Sequence, residues 1–383
     1  MKILYLTPGC FDKGGISRYS RYQISALREI YGKENVIVYS LLGKDKDSIE
    51  EDIDVQWSGK GPDIRSKLLF SWRTFSKGIS WKPDLIFCAH VNLSGLSCMT
   101  AKLCGAKTVL NVYGLEVRMK LSFDAAWGLK TSQRIISDCH STADHLLSEK
   151  LKDASKVSVI WDCIALNKFK PGEVPDITIL SKYNIPNPAD HFIVLTLGRL
   201  TLPDALYKGY DRLLRVMARL FRTHEEAVLV IAGRGNYREE LEKMAQRLNV
   251  SDKVRFTGSV DEADLPMIYR SCHLFSLITE SGEGKGEGIP LTPLEAMACG
   301  KPILVGNQDG SKEAVFENLN GYIFEPNDLD AQQKIIEQLI TDKMLLLKKS
   351  KAAANIAERH FSYENFKTKH EQFLKSWLNE HLS

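Results

Sequence analysis

Short apolar runs alternate with longer amphipathic segments along the whole chain. In the first half, the apolar runs predict six strands: Lys2–Thr7, Asn35–Leu42, Asp84–Cys88, Thr108–Val112, Arg134–Ser137 and Val157–Ile160. The amphipathic segments between them predict helices near Ser17–Tyr31, Leu93–Cys104 and Ser141–Leu151. Strands separated by helices are typical of a doubly wound, largely parallel sheet, so the pattern predicts an α/β fold.

A break in this pattern lies between Asn167 and His191, where prolines and a glycine cluster and predict a linker. A second series follows, with six predicted strands: Phe192–Leu197, Ala227–Ala232, Lys253–Thr257, His273–Leu277, Pro302–Val305 and Tyr322–Phe324. Its predicted helices lie near Gly209–Arg222, Asn236–Leu248, Pro293–Cys299 and Ala331–Ile340. We therefore expect two Rossmann-like domains, 1–170 and 171–361, facing a central cleft of the kind that ligands favour. Residues 362–383 form a predicted amphipathic helix that packs back towards the first domain.

Bulk composition narrows the class of protein. A chain of 383 residues is too long for one ordinary core, which agrees with two domains. The net charge of +3 is too small to indicate a nucleic-acid partner, and no apolar run is long enough to span a bilayer. The N-terminus is typical of a first buried strand rather than a cleaved signal. Eight scattered cysteines without a Cys-x-x-Cys pair indicate a reducing, cytoplasmic location and no zinc site.

The strongest chemical signal is Glu287-Gly-Ile-Pro-Leu-Thr-Pro-Leu-Glu295, which follows a glycine-rich loop that begins at Gly282. Thr292 suits a helix N-cap and Pro293 the first helical position. The local sequence leaves two roles open for Glu295, a capping box with Thr292 or a ligand contact. Glu287 precedes the predicted helix, and a helix N-terminus attracts anions. A carboxylate beside such a terminus indicates a ligand with both hydroxyls and phosphate, such as a nucleotide sugar.

Two further turns carry groups that suit a phosphate. Gly14 and Gly15 lie between the first strand and its helix, where backbone amides can approach an anion closely; a plain connection is the alternative. Arg199 and Lys208 follow the first strand of the second series. A planar guanidinium and a compact ammonium could together neutralise a diphosphate, with surface salt bridges as the alternative.

Other polar clusters are weaker signals. We interpret the turns Ala232–Gly235 and Asp309–Glu313 as structural. His90 ends a strand and could reach the cleft, although a structural histidine is the alternative. Three Asp-x-Asp pairs are interpreted as loop or helix-start sequence rather than metal sites: Asp45–Asp47, Asp52–Asp54 and Asp328–Asp330.

Residues 60–82 combine six basic residues with a single acid, and aromatic and aliphatic residues interleave with them. A basic amphipathic helix of this kind can lie on anionic lipid. The alternative is a helix that covers the first sheet and turns its basic face to water. Peripheral contact with the inner membrane surface is therefore one of two open interpretations.

Over nearly its whole length the chain resembles the retaining glycosyltransferases of family 4 (glycosyl transferases group 1), which have the GT-B fold. The resemblance is strongest from Gly282 to Pro302, which looks like the signature of two glutamates seven residues apart in that family. Weaker matches fall at the family's phosphate-binding positions: Gly14-Gly15, Gly198-Arg199 and Lys208-Gly209.

The resemblance implies roles for the matching residues. Glu287 would contact hydroxyls of the donor sugar, and Glu295 would hold the ribose, which favours function over capping. Arg199 and Lys208 would hold the diphosphate, assisted by backbone amides, and a turn at 255–256 would meet the base. The implied donor-binding set comprises Gly14, Gly15, Arg199, Lys208, Arg255, Phe256, Glu287, Gly288, Ile289, Pro290, Leu291, Thr292 and Glu295.

One position departs from the family pattern. Members often carry a histidine just after the fourth strand of the first domain, where this chain has Tyr113. The resemblance places that position beside the reacting carbon of the donor sugar. A tyrosine leaves the sugar contact possible but removes an imidazole. The predicted catalytic set is therefore Glu287, Arg199, Lys208 and Tyr113.

The resemblance implies transfer of a sugar from a nucleoside diphosphate sugar to an acceptor hydroxyl, with retention at the anomeric carbon. A uridine diphosphate sugar such as UDP-glucose is the expected donor, and a glycan or lipid-linked acceptor is expected in polysaccharide or glycolipid synthesis. Two cationic side chains would replace a metal, so no metal or other cofactor is expected. Two alternatives are a sugar nucleotide epimerase or hydrolase on the same fold, and a nucleotide-sugar-binding protein without turnover.

Overall fold

The structure is a computed structural model that describes residues 1–12, 14–45, 48, 53–173, 176–282 and 286–379. Several sequence features lie wholly or partly outside the described residues: the pairs Asp45–Asp47 and Asp52–Asp54, Pro175 of the predicted linker, residues 283–285 of the glycine-rich loop, and the last turn of the terminal helix to His381.

The chain divides into two compact units. Unit 1 comprises Met1–Cys163 with the segment from Tyr363 onward, and unit 2 comprises Ile164–Ser362. The division after Cys163 precedes the boundary that the sequence placed after residue 170. Two contacts hold the intervening segment in unit 2: Lys168 pairs with Glu262 at 3.2 Å, and the Phe169 ring meets the edge of Tyr269 at 5.9 Å.

Unit 1 is built on a seven-stranded sheet of order β3-β2-β1-β4-β5-β6-β7, in which every neighbouring pair is parallel. Its strands are β1 Ile3–Thr7, β2 Val36–Ser40, β3 Trp57–Ser58, β4 Leu85–Cys88, β5 Lys107–Val112, β6 Arg134–Ser137 and β7 Val157–Val159. Its helices are α1 Gly15–Tyr31, α2 Ile64–Trp81, α3 Ser94–Cys104, α4 Leu115–Arg118, α5 Phe123–Thr131, α6 His140–Ser148 and α14 Tyr363–Asn379.

Both faces of this sheet are buried, which explains the continuous apolar runs of its strands. Successive residues of β1 point to opposite faces, so Ile3 and Tyr5 belong to one core cluster and Leu4 and Leu6 to another. Helix α14 packs against α1 and contributes Trp377, with Phe366 and Leu374, to the cluster of Ile3 and Tyr5. The end of the chain therefore completes the core of unit 1.

Unit 2 has a six-stranded sheet of order β10-β9-β8-β11-β12-β13, again with every neighbouring pair parallel. Its strands are β8 Phe192–Leu197, β9 Ala227–Ala232, β10 Val254–Gly258, β11 Leu274–Leu277, β12 Ile303–Gly306 and β13 Gly321–Phe324. Its helices are α7 Ile177–Lys182, α8 Tyr210–Leu220, α9 Arg238–Arg247, α10 Leu265–Ser271, α11 Leu291–Ala298, α12 Leu329–Thr341 and α13 Lys343–Phe361.

The predicted α/β fold with two Rossmann-like sheets is confirmed. Each predicted strand is present, with ends that differ by two residues or fewer, and the predicted helices differ by at most three. The sequence did not predict the two-residue strand β3 or the helices α4, α5, α7, α10 and α13. No helix among the described residues carries an apolar stretch long enough to cross a membrane.

Candidate functional site

Three predicted site residues of unit 2 lie in the segments that follow strands β8 and β11: Arg199, Lys208 and Glu287. The Lys208 ammonium lies 3.1 Å from Glu287 Oε1, and the two side chains are only 13% and 24% exposed. The Tyr207 hydroxyl donates to the same carboxylate oxygen at 3.3 Å. Burial, followed by the charge of Glu287, raises the pKa of Tyr207, so this phenol stays protonated. The structure thus joins two residues that the sequence predicted separately, and it adds Tyr207.

A buried carboxylate fixes the backbone of Glu287. Asp309 is fully buried, and its Oδ2 accepts hydrogen bonds from the Thr279 hydroxyl at 2.7 Å and from the Glu287 amide at 2.9 Å. Its Oδ1 accepts from the Ser311 amide at 3.0 Å. Burial raises the pKa of Asp309, although these hydrogen bonds oppose the shift. The turn at Asp309, interpreted from sequence as structural, therefore positions a candidate catalytic residue.

Helix α11 begins earlier than the sequence predicted. Its N-cap is Pro290, with no hydrogen bond from a side chain to the cap, and Thr292 is the second helical residue. The prediction that Thr292 is the N-cap was therefore wrong, because proline supplies the extended backbone of a cap without an acceptor side chain. Gly288 and Ile289 are buried before the helix, and Leu291 is half-buried at its start. No side chain of the N-cap residue therefore accepts a hydrogen bond from the first amide groups of α11. These amides and the helix dipole make this end of the helix attractive to anions.

Glu295 makes no capping box, since Thr292 is not a cap. Its side chain is 1% exposed, and Oε2 accepts a hydrogen bond from the Tyr269 hydroxyl at 2.7 Å. This contact joins α11 to α10. The implied ribose contact of Glu295 remains a prediction. The helix ends as predicted, before Gly300 in the left-handed conformation with φ of 74°.

Arg199 follows β8 and is largely exposed. Its guanidinium lies 3.7 Å from Asp204, and its side chain is 77% exposed. The Arg199 carbonyl accepts from the Tyr210 hydroxyl at 3.4 Å. Lys208 lies nearby, because its ammonium is 3.9 Å from the position that a Cβ at Gly198 would take. Because the Arg199 guanidinium is exposed, it can change partners when an anion binds.

The residues predicted to meet the base are not in a turn. Arg255 and Phe256 lie inside strand β10, whose carboxyl end is Gly258. The Arg255 guanidinium donates to the carbonyl of Asp252 at 2.6 Å, towards the amino end of the strand, and Arg238 lies 5.4 Å over the Phe256 ring. The predicted turn was wrong, because Arg255 and Phe256 pair in register with β9 as part of an edge strand. Their contact with a base remains a prediction.

The glycine pair of unit 1 begins helix α1. Gly14 is the N-cap, without a side-chain cap, and Gly15 is the first helical residue. The Gly14 amide donates to Asp12 at 2.7 Å. One backbone amide is therefore held by a carboxylate of the same turn, and the phosphate contact of Gly15 remains a prediction.

Tyr113 lies after β5, half-buried. Its hydroxyl accepts from Asn111 Nδ2 at 3.2 Å, and its ring meets the edge of Tyr19 at a centroid distance of 5.2 Å. Its backbone amide donates to Glu116, which orients the turn. His90 lies after β4, where its Nδ1 accepts from the Asn92 amide at 3.2 Å; burial lowers the pKa of His90 to about 4. His90 thus acts as a structural cap, as the alternative interpretation had it.

No group of three or more His, Cys, Asp or Glu side chains is arranged to hold a metal ion within the described ranges. The Asp328 carboxylate accepts from the Ala331 amide at 3.0 Å and caps α12. Sequence reasoning missed Tyr207 and the positioning role of Asp309. Tyr207 adjoins Lys208 in sequence, which was its one local signal, whereas Asp309 has no signal beyond its place after a strand.

Comparisons with known proteins bear on this site. A family model described as Glycosyl transferases group 1 matches residues 181–360. The GDP-mannose-dependent alpha-(1-6)-phosphatidylinositol monomannoside mannosyltransferase of Mycolicibacterium smegmatis is 30% identical over 203 residues, which cover 52% of this chain and 50% of that protein. The D-inositol 3-phosphate glycosyltransferase of Streptomyces avermitilis is 27% identical over 236 residues, 59% of this chain and 48% of that protein. The chain thus spans about half the length of these curated relatives.

Solved structures resemble the whole chain. HepE of Anabaena, crystallised in complex with UDP, has a TM-score of 0.78 at 18% identity and covers 98% of this chain and 100% of its own. The lipopolysaccharide outer core galactosyltransferase WaaB, in its apo form, has a TM-score of 0.74 at 17% identity and covers 98% and 99%. At such identities the likeness concerns the fold. The chain therefore has the GT-B fold, and its residues 181–360 match the glycosyl transferases group 1 family.

Proposed function

We propose that this chain transfers a sugar from a nucleoside diphosphate sugar to an acceptor hydroxyl, with retention at the anomeric carbon and without a metal. The observation that carries the proposal is the contact between Lys208 and Glu287 beside the uncapped N-terminus of α11. An ammonium and a helix end suit a diphosphate, and a carboxylate suits sugar hydroxyls.

The chemistry lies in breaking the bond between the anomeric carbon and the diphosphate. Negative charge grows on the leaving phosphate, where Lys208, Arg199 and the amides at the start of α11 stabilise it. Glu287 holds the sugar hydroxyls, and Tyr113 contacts the sugar near the reacting carbon. The leaving phosphate takes the proton of the acceptor hydroxyl on the same face, so the reaction needs no carboxylate nucleophile of the kind that retaining glycosidases use.

The base of the donor separates two candidates. Uridine diphosphate sugars are the sequence-based prediction, whereas the Mycolicibacterium relative is named as GDP-mannose-dependent. Both belong to the same chemical class, since each presents a diphosphate, a ribose and a sugar. We therefore propose the nucleoside diphosphate sugar as donor class and test UDP-glucose and GDP-mannose side by side.

The first test is thermal stabilisation by UDP, GDP and their sugars. A ligand that binds only the folded chain raises its melting temperature, by the equivalent of about 2.7 kcal/mol at one hundred times the dissociation constant. Lys208→Ala should lose the shift. Lys253→Ala is the matched control, because Lys253 lies before β10 and donates to the Glu225 carbonyl. No shift with any nucleotide at millimolar concentration would contradict the proposal.

Turnover separates the remaining alternatives. Release of nucleoside diphosphate in the presence of an acceptor should persist in a chelator, because cationic side chains replace the metal; complete loss on chelation would refute metal independence. A new free sugar or nucleotide formed without any acceptor would identify an epimerase or hydrolase. Nucleotide binding without turnover for any acceptor would identify a binding protein.

We also propose peripheral contact with the cytoplasmic face of a membrane and a glycan or lipid-linked acceptor. Exposed large apolar side chains of unit 1, among the described residues, all lie on or between α2 and α5: Ile64, Leu68, Leu69, Trp72, Ile79, Met99, Leu103, Met119 and Phe123. Helix α3 packs against both α2 and α5, so these helices form one layer. Residues 60–131 carry eleven basic and four acidic residues, whereas the rest of the chain is net negative.

Only a narrow stripe of helix α2 faces the core, and most of its other apolar side chains are exposed. Its buried residues, Ser66, Phe70, Thr74 and Gly78, recur every four positions and form a narrow stripe. Trp72 is 61% exposed, and Arg73 lies 5.6 Å over its ring. Apolar side chains in water beside cations suit an anionic lipid surface.

Co-sedimentation with vesicles tests the contact. Vesicles that contain phosphatidylglycerol should bind the chain at low salt, and phosphatidylcholine vesicles should bind less. Trp72→Ser should weaken binding, whereas Met344→Ser, which changes an even more exposed residue of unit 2, should not. Equal binding of both variants, or none by the native chain, would refute the membrane proposal.

A further inference from the structure

Five polar side chains form a buried network in unit 1. They come from β1, α1, the end of β5 and the terminal helix α14: Tyr5, Gln23, Asn111, Tyr113 and His370. Tyr5, Gln23 and His370 are fully buried, and Asn111 is 1% exposed. A buried network is costly unless every group is paired, so its hydrogen-bond directions are strongly constrained.

The directions begin at His370. Its Nδ1 lies 2.9 Å from the Phe366 carbonyl, which can only accept, so Nδ1 carries the proton. Burial lowers the pKa of His370 to about 4, and the ring is therefore neutral. Its Nε2 must then be an acceptor, and it lies 2.8 Å from Gln23 Nε2, which donates. The histidine thereby fixes which end of the Gln23 amide faces it.

The amide groups transmit this direction to Tyr113. Gln23 Oε1 accepts from the Tyr5 hydroxyl at 2.8 Å and from Asn111 Nδ2 at 2.6 Å. The second proton of Gln23 Nε2 points to Asn111 Oδ1 at 3.3 Å. The remaining proton of Asn111 Nδ2 is donated to the Tyr113 hydroxyl at 3.2 Å. The phenol therefore accepts from the network, and its own proton points away from it.

Helix α14 is firmly attached where it supplies His370. The Phe366 ring meets the edge of Tyr19 at 5.2 Å, and Tyr19 in turn meets Tyr113. Lys367 pairs with Glu29 of α1 at 2.8 Å. Aromatic packing and an ion pair thus attach to α1 the turn of α14 that precedes His370.

We propose that His370 is a positioning residue that makes the Tyr113 phenol a hydrogen-bond donor towards the donor sugar. The proposal rests on the proposed function, which sets Tyr113 beside the reacting carbon. A Tyr113 donor can stabilise a sugar oxygen, whereas a phenol that donates back into the network cannot. Helix α14 thereby orients the side chain of Tyr113, which follows β5.

Without an acceptor at position 370, the hydrogen-bond donors and acceptors of the network are no longer fixed in one direction. In His370→Leu, the Gln23 N–H loses its partner, and an amide flip of Gln23 and Asn111 restores pairing with the phenol as donor to Asn111 Oδ1. His370→Gln places an amide oxygen where Nε2 was and should keep the native direction. His370→Asn is too short to reach Gln23, and it serves as a second loss variant if the leucine variant fails to fold.

Kinetics with UDP-glucose and GDP-mannose test the proposal through Tyr113. His370→Leu should lower kcat about tenfold with little change in KM, the effect of one lost hydrogen bond to the transition state. His370→Gln should recover most of this rate. In the Y113F background, His370→Leu should cost nothing further, because the phenol is already gone. An equal loss of rate in both backgrounds would overturn the proposal.

Nitrogen NMR of the full chain tests the network without any turnover. Selectively ¹⁵N-labelled histidine should show His370 with a protonated Nδ1 and a bare Nε2. The side-chain amide resonances of Asn111 should move in both His370→Leu and Y113F and return in His370→Gln. A protonated Nε2 of His370, or Asn111 side-chain resonances that are the same in the native chain and in His370→Leu, would overturn the proposal. Correct resonances with a native chain that turns over neither donor would instead contradict the proposed function.

Discussion

Glu287 pairs with Lys208, so under the proposed function a bound diphosphate must compete with this carboxylate for the Lys208 ammonium. At 3.1 Å, two unit charges attract by about 5 kcal/mol for an effective dielectric constant of 20. Desolvation of two largely buried groups cancels most of this energy, which leaves a net value of about 1 kcal/mol. Glu287→Gln keeps the shape of the side chain and removes its charge.

The expected result depends on whether the ligand carries a sugar. Glu287→Gln should bind UDP and GDP about fivefold more tightly than the native chain, the equivalent of about 1 kcal/mol. The nucleoside diphosphate sugars should gain less, because the amide is a poorer acceptor for sugar hydroxyls. The gain should shrink as salt screens the charges.

Titration calorimetry of four chains measures these effects. Glu280→Gln is the matched control, because Glu280 pairs with Arg212 at 3.3 Å rather than with Lys208. Lys208→Ala in the Glu287→Gln background should abolish the gain. Diphosphate binding that is equal or weaker in Glu287→Gln than in the native chain would refute the idea that the carboxylate competes for Lys208.

Three further predictions concern stability. In either amide orientation, Asp309→Asn places an NH2 donor against at least one donor, so it should cost about 1–3 kcal/mol in urea denaturation and weaken nucleotide-sugar binding; unchanged stability would contradict the three hydrogen bonds of Asp309. Gly233→Ala should prevent folding, because φ is 137° and a Cβ would lie only 1.9 Å from the Gly198 carbonyl, whereas Gly282→Ala, with open space around it, should melt like the native chain. His370 has a folded pKa of about 4 against 6.5 when unfolded, so the unfolded chain binds more protons between these values. The contribution of His370 to the free energy of unfolding should be complete above pH 6.5 and fall by about 3 kcal/mol towards pH 4. Melting temperatures measured across this pH range would contradict this if they fell equally steeply in His370→Gln and in the native chain.

The sequence by itself determined the two sheets. Buried parallel strands need apolar side chains on both faces, so runs such as Ile3–Thr7 and Ala227–Ala232 can be recognised as strands before their neighbours in the sheet are known. The segment Glu287–Glu295 could also be recognised from the sequence, because its residues are neighbours along the chain. Local chemistry was less reliable for helix ends: Thr292 is the better cap by residue type, yet the helix starts after Pro290.

Only the tertiary structure decided which side chains meet. Glu287 meets Tyr207 across eighty positions of sequence, and Gln23 meets His370 across 347. No periodicity records such contacts, because they follow from the order of strands in the sheet and from the return of α14 to unit 1. The exposure of Trp72 was likewise undecided, since a basic amphipathic segment suits both a core face and a lipid surface until the packing of α2 fixes which residues are buried.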